Sequence, residues 1–266
     1  MKKQVYKIIT VIVCFLITTA LSSWDKPAKK QSPEFYQLTV YHYSNIQQQQ
    51  VLDNYLQNAL MPALHRQNIN TVGIFSALAN DTALLKTMYV LFPVKNIEAV
   101  TKIQDKLATD NEYQTSGSSY INAGYTTPSY DRMETILLKA FHLAPTLQVP
   151  QLKAAKKDRV YELRSYESAS EKIFKNKVHM FNEGDEIGLF KRLNFNAIFY
   201  SEVIAGGKMP NLMYMTSFEN MDDRNEHWKK FVDHPDWKKL SSLPEYQHNV
   251  SHIDITFLKP ADYSDF

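Results

Sequence analysis

Cysteine is almost absent from this chain. Cys14 is the only one, and it sits inside an apolar run near the start. If that segment is cleaved, the mature protein has no thiol, which excludes disulfides and Cys-based metal sites. An excess of one charge is also missing: 30 Lys and Arg against 28 Asp and Glu give +2, so there is no electrostatic footprint for nucleic acid. No phosphate loop, nucleophile elbow or dinucleotide fingerprint occurs, and Gly206-Gly207 reads as a hairpin turn. The eight histidines are scattered without an HExxH pattern. His248 and His252, four apart on a strand, are too far separated to chelate closely, so no metal site is expected.

What is present begins with a positive start (Lys2, Lys3, Lys7), an apolar run from Ile8 to Ile17, and then Thr18-Thr19-Ala20. That order reads as a secretory signal peptide cleaved after Ala20 or Ser23, which places the protein in the periplasm or outside the cell. The apolar run is short for a membrane span of about 20 residues. A lipid-attachment reading of Cys14 would need a small residue before it, and Val13 is not small. Residues 24–33, polar and flanked by proline, read as a flexible leader. The remainder is rich enough in apolar and aromatic residues, 44% and 12% of the chain overall, to build two cores.

The strongest signal is internal. Tyr36-Gln37-Leu38 returns as Tyr161-Glu162-Leu163 and Met88-Tyr89-Val90 as Met213-Tyr214-Met215, both displaced by 125 positions. Ile74-Phe75 matches Ile198-Phe199, and Asp110 to Tyr113 matches His234 to Trp237, both displaced by 124. Such spacing means a duplicated domain, since solenoid units repeat every 20–50 residues or so. Residues 34–145 and 159–266 are the expected repeats, with 146–158 as linker. From Pro128 to Pro244 the step is only 116, so the first copy carries eight extra residues within Thr115 to Tyr125. A connection of that length suits a binding loop or a tolerated surface insertion.

Each copy reads strand, helix, strand, strand, helix, strand. Alternation is clean over Phe35 to Tyr41 and Val160 to Tyr166. Ala79-Asn80-Asp81 and Ala205-Gly206-Gly207 carry turn chemistry between strands two and three. Asn96 and Asn220 are suited to N-cap the second helices, and Gly184 should break or bend the first helix of copy two. The order β-α-β-β-α-β is the ferredoxin-like unit. Two such units can bury their bare sheet faces against each other, so the expected fold is α+β: two tandem ferredoxin-like domains forming an intrachain dimeric α+β barrel. The more polar faces, Gln37/Thr39/Tyr41 and Glu162/Arg164/Tyr166, are expected to line its interior.

The second copy resembles NIPSNAP-family domains. Tyr161-Glu162-Leu163-Arg164-Ser165-Tyr166 is similar to the family's opening YELRxY, and Phe195 to Ile204 and His234-Pro235-Asp236-Trp237 fit the later pattern. The first copy departs, with Gln37-Leu38-Thr39 in place of Glu-Leu-Arg. The resemblance implies the dimeric α+β barrel fold and no established reaction. Fold relatives include haem-degrading and antibiotic-biosynthesis monooxygenases, but fold does not fix function.

Arg164 has the chemistry to bind a carboxylate or phosphate, and Glu162 to act as a base if desolvated. The same two residues also suit a structural ion pair. His252 and Asp254, two apart on the last strand, form an acid–base pair or an ordinary solvated strand face. The ligand-binding candidates are therefore Glu162, Arg164, Tyr166, Tyr41, Gln37, His252 and Asp254, with no catalytic residue and no cofactor assigned. The expectation is a small organic, anionic-compatible ligand between the two sheets; the alternatives are a non-catalytic interaction module and, less favoured, a haem-binding monooxygenase-like protein. No nucleic acid or membrane partner is expected after signal removal, and the sequence leaves homo-oligomer formation open.

Overall fold

The computed structural model describes residues 31–266; the expected signal peptide and most of the leader lie outside the described residues. The first repeat opens with β1 (Phe35–Tyr43) and α1 (Ile46–Tyr55), which continues through a π-helical turn (Leu56–Leu60) into α2 (Met61–Arg66). It goes on with β2 (Gly73–Ala77), β3 (Lys86–Val94), α3 (Ile97–Thr109), short helices α4 (Asn111–Ser116) and α5 (Ser118–Ile121), and β4 (Arg132–Ala140). The second consists of β5 (Val160–Glu167), α6 (Glu171–Asn182), α7 (Glu186–Arg192), β6 (Asn196–Ala205), β7 (Asn211–Phe218), α8 (Met221–Asp233), α9 (Pro235–Ser242) and β8 (His252–Pro260). Among the described residues no helix is long and apolar enough to cross a membrane.

Local chemistry explains the boundaries. Asn96 and Asn220 cap α3 and α8, their side chains accepting from the amides of Ala99 and Asp223. The expected first helix of copy two divides at Gly184. A Cβ there would lie 2.4 Å from the Met180 carbonyl oxygen, and Asp185 follows in a left-handed conformation at φ 67°. The linker is not loose: Leu147 and Leu152 pack on the barrel core, and Glu219 accepts from the amides of Lys153 and Ala154.

All eight strands close into one barrel in the order β1-β3-β2-β8-β5-β7-β6-β4. Each repeat contributes the ferredoxin-like order 4-1-3-2, and the seams are β2 with β8 and β4 with β6. Residues Ser32–Phe266 form one compact unit. The fold expected from the sequence is the fold observed.

The expected orientation of the faces is corrected. Tyr36, Leu38 and Val40 of β1, with Tyr161 and Leu163 of β5, point into the barrel and pack with Leu91, Leu138, Phe199, Met215 and Leu258. Gln37, Thr39 and Tyr41, and likewise Glu162, Arg164 and Tyr166, turn outward beneath the helices. Both faces of β1 and β5 are almost wholly buried, so alternation separated two faces without saying which was inside. The barrel centre is packed mainly by apolar side chains, whereas the helices bring Arg224 and Trp228 to the Glu162 carboxylate, and burial of an unpaired charge is prohibitive.

A second correction concerns register. Tyr41 pairs with Met88, but Tyr166 pairs with Leu212, and Thr39 pairs with Val90 where Arg164 pairs with Tyr214. The third strands are therefore equivalent at a displacement of 124. The Met-Tyr match at 125 is off by one, which in a strand exchanges the faces.

Candidate functional site

With the apolar faces filling the barrel, two openings bear on the expected site residues: one under the helices of the first repeat and one at a barrel end. The barrel's other end is plugged by Tyr36, Phe75, Tyr161, Phe199 and Phe266, whose rings meet at centroid distances of 4.9–6.4 Å. The expected ligand site between the sheets is thus occupied at its centre by side chains.

Under the helices of the second repeat, Glu162 is wholly buried and saturated. It accepts from Arg164 Nε (2.6 Å), from Arg224 through Nε (2.8 Å) and Nη2 (2.9 Å), and from Trp228 Nε1 (2.7 Å). Arg164 lies over the Trp228 ring at 3.6 Å and donates to the Tyr166 hydroxyl (2.9 Å), which is 2.9 Å from that of Tyr214. Burial pushes the Glu162 carboxyl up, but the two guanidiniums together outweigh it and hold it below the usual range. Nearby, Lys177 and Glu186 form a buried pair at 2.9 Å, and burial raises the Glu186 carboxyl. Each of these polar groups is held by a neighbour within hydrogen-bonding reach. Arg164 is therefore consumed internally, and the anion-binding expectation loses its anchor.

The first repeat holds a partly open chamber of about 170 Å³ in the matching place, between its sheet and α1–α5. Gln37, Thr39, Tyr41, Tyr55, Tyr113 and Tyr120 face it. The register gives the cause: Thr39 stands where the second repeat has Arg164, Val90 where it has Tyr214. Counting from the two N-caps, Gln104 stands where it has Trp228. Three large side chains are replaced by smaller ones, and their volume is left open.

Its hydrogen bonding is ordered but incomplete. The Tyr55 and Tyr113 hydroxyls are 2.9 Å apart, and Tyr120 donates to Tyr41 at 3.2 Å. Tyr55 and Tyr120 stack with centroids 3.7 Å apart and planes within 7°. Gln37, only 7% exposed, donates from Nε2 to Thr39 Oγ1 (3.2 Å), while its Oε1 has no partner. Burial pushes the hydroxyls of Tyr41, Tyr55, Tyr113 and Tyr120 up, so all four stay protonated. No charged residue lines the chamber.

Tyr120 comes from the eight-residue insertion. Instead of a loop over the surface, that segment follows α4, the counterpart of α9, and forms α5, which walls the chamber. Gly117 permits this approach: a Cβ would sit 2.8 Å from the Tyr113 carbonyl oxygen and 3.2 Å from Ala59 Cβ. The insertion was visible in the sequence; its contact with Tyr41 and Tyr55 was not, because neither is near in sequence. The π-turn in the first helix, which follows chamber residue Tyr55 and ends with chamber residue Leu60, carried no sequence signal either.

The remaining candidates, His252 and Asp254, lie at the open barrel end, where Nε2 and Oδ1 are 3.0 Å apart. They are far along the chain from the chamber residues and do not line it. The seven candidates thus fall in three places: Gln37 and Tyr41 at the chamber, Glu162, Arg164 and Tyr166 in the saturated network, and His252 with Asp254 at the mouth.

No curated protein matches the sequence. A proposed monooxygenase from Lactobacillus acidophilus superposes with a TM-score of 0.56 at 12% identity, covering 86% of this chain and 94% of that one. Another from Fusobacterium nucleatum gives 0.55 at 5% identity, covering 86% and 93%. At such identities the likeness is one of fold. A NIPSNAP family protein from Agrobacterium tumefaciens is 21% identical over 41% of this chain and 98% of its own, with a TM-score of 0.36. The NIPSNAP family model matches residues 161–265, the stretch that contains the Glu162–Arg164–Tyr166 strand. The second repeat of this chain is similar to a NIPSNAP domain.

Proposed function

We propose that the protein binds a small uncharged organic molecule in the chamber of its first repeat. The observation that carries this reading is the buried, unpartnered Gln37 Oε1 facing a cavity from which the second repeat's Arg164, Tyr214 and Trp228 equivalents are missing. A chamber of about 170 Å³ is below the roughly 300–1,000 Å³ of drug-sized pockets. It is close to the ~150 Å³ cavity that admits benzene in an engineered protein. The fitting ligand is a single ring or its equivalent, carrying a donor for Gln37 and an acceptor for a tyrosine hydroxyl. Small phenols and cyclic amides have that character. A carboxylate does not, because no cation lines the chamber and desolvation of an unpaired charge is unfavourable.

The reading assigns binding and no reaction. Titration calorimetry with phenol, a small cyclic amide and benzoate tests it. Phenol or the amide is expected to bind and benzoate not to. Thr39→Leu, which fills the chamber, should abolish binding; because it also removes the acceptor of buried Gln37 Nε2, its melting temperature is expected to stay level or fall modestly, and melting curves check that it folds. Binding that survives Thr39→Leu would place the ligand elsewhere and overturn the proposal. We also place the protein outside the cytoplasm, on the N-terminal positive and apolar pattern. Intact mass of exported protein that still contained Met1 to Ala20 would contradict that placement.

A further inference from the structure

The open end of the barrel is lined by a different set of groups. Asn211, Glu167 and His252 lie side by side on β7, β5 and β8, since Glu167 pairs with Asn211 on one side and with His252 on the other. In-register neighbours share a face, and here it is the barrel-interior face. Asp254 is two residues on from His252 on that same face. Ligand atoms of Glu167, His252 and Asp254 all come within 4.8 Å of one another. His252 Nε2 and Asp254 Oδ1 are already 3.0 Å apart, near the separation of about 3.3 Å expected of two donors on one ion with bonds of roughly 2 Å.

A second observation points the same way. The mouth holds an open cavity of about 300 Å³, lined by Asp254 and Asn211 among others. Asn211 is 2% exposed; its Nδ2 donates to Ser165 Oγ (2.7 Å), and its Oδ1 has no partner. A buried acceptor without a donor, one strand from an acidic–imidazole group, calls for a cation or a bound water.

We propose that a divalent transition-metal ion binds at this mouth, held by Glu167, His252 and Asp254, with its remaining positions open to the cavity. One imidazole with two carboxylates is a donor set for Zn²⁺ or Mn²⁺. Lys208, whose Nζ is 2.5 Å from Asp254 Oδ2, leaves Oδ1 for the ion but adds a competing positive charge. The pseudo-equivalent group in the first repeat does not make a second site. There His42 stands for Glu167 and Arg132 for His252, and Arg132 pairs with Glu134 at 3.3 Å. Sequence reading missed the group because it compared histidines along one strand, while the third donor comes from a strand 85 positions earlier (252 − 167).

Calorimetry on untagged, chelator-treated full-length protein with Zn²⁺, and electron paramagnetic resonance with Mn²⁺, test the proposal. One ion per chain is expected. Glu167→Gln and His252→Ala should each weaken it more than about tenfold, the least that loss of even a supporting residue costs at metal sites. Lys208→Met should strengthen it about two- to fivefold, the range of an exposed ion pair. All three positions lie at the rim, and melting curves of the metal-free variants check that they fold. Absence of binding by either ion, or binding indifferent to Glu167→Gln and Lys208→Met, would overturn it.

Discussion

Arg164 lies over the indole of Trp228, its guanidinium carbon 3.6 Å from the ring centroid, while both donate to the same buried carboxylate, Glu162. The strand residue and the helix residue are held by a common acceptor, so α8 is fastened to β5 by charge as well as by packing. In the other repeat, Thr39 and Gln104 occupy these places, and no hydrogen bond joins them. The duplication has produced one closed unit and one open one.

Removing Arg164 should therefore be a stability change before it is anything else. Arg164→Ala takes one of two guanidiniums from Glu162 and leaves the indole face uncovered. Loss of one partner of a buried pair costs about 3–5 kcal/mol, and because Arg224 remains we expect the lower end, about 3 kcal/mol. The double variant Arg164→Ala/Glu162→Gln should recover part of that loss. Denaturant melts decide: a single-variant loss below about 1 kcal/mol would mean that the pair is effectively solvated.

Acid should act through the same carboxyl. Glu162 is held below its ordinary value of 4.5. Its contribution is fully present above about pH 4.5 and is lost as pH falls through its lower folded value. Glu186 has the opposite sign. Burial raises it, so the folded state gains from its protonation below its ordinary 4.5 and loses as pH rises through the raised value. Glu162→Gln removes only the first slope. From pH 5 downward, about where carboxyls begin to protonate, its melting temperature should fall less steeply than the wild type's. Parallel curves would show that Glu162 does not carry acid sensitivity.

Much of the fold was legible because it rests on patterns that secondary structure imposes. The β-α-β-β-α-β order, the Asn96 and Asn220 caps and the break at Gly184 all follow from spacing and local chemistry. Orientation was not legible. Glu162 and Arg164 are polar, which suggested a wet interior, yet their partners Arg224 and Trp228 lie 62 and 66 positions from Glu162 on a helix, where no strand pattern reveals them. The chamber was half legible: Gln37 and Tyr41 were singled out, but its openness depends on Val90 and Gln104 being smaller than Tyr214 and Trp228. The letter match of Met88-Tyr89-Val90 with Met213-Tyr214-Met215 hid that comparison by aligning residues on opposite faces.

The plugged end of the barrel gives a packing prediction. Phe266 is 2% exposed and meets Phe75 edge-on at 5.5 Å, while Gly73 leaves it room, a Cβ there falling 3.1 Å from the Phe266 ring. Phe266→Ala should cost about 3–5 kcal/mol, the range for removing a buried phenyl ring. The chamber lies under the helices and should keep its ligand affinity at temperatures where the variant is folded. A loss under 1 kcal/mol in urea melts would show that the end refills.

Gly117 offers a way to loosen the chamber without touching its lining. A Cβ at 2.8 Å from the Tyr113 carbonyl must push the α4–α5 turn outward, because the obstructing atom is backbone and cannot swing aside. Overpacking of this kind costs about 1–3 kcal/mol. The displacement carries Tyr120 away from Tyr41 and Tyr55, breaking the 3.2 Å hydrogen bond and the 3.7 Å stack that form the wall. Gly117→Ala should thus lower the melting temperature modestly and weaken phenol or cyclic-amide binding, whereas Tyr120→Phe should keep the stack and lose only the hydroxyl contact. Calorimetry on both variants separates shape from hydrogen bonding. If Gly117→Ala binds as the wild type does, the insertion is a passive wall, and affinity resides in Gln37, Thr39 and Tyr41 alone.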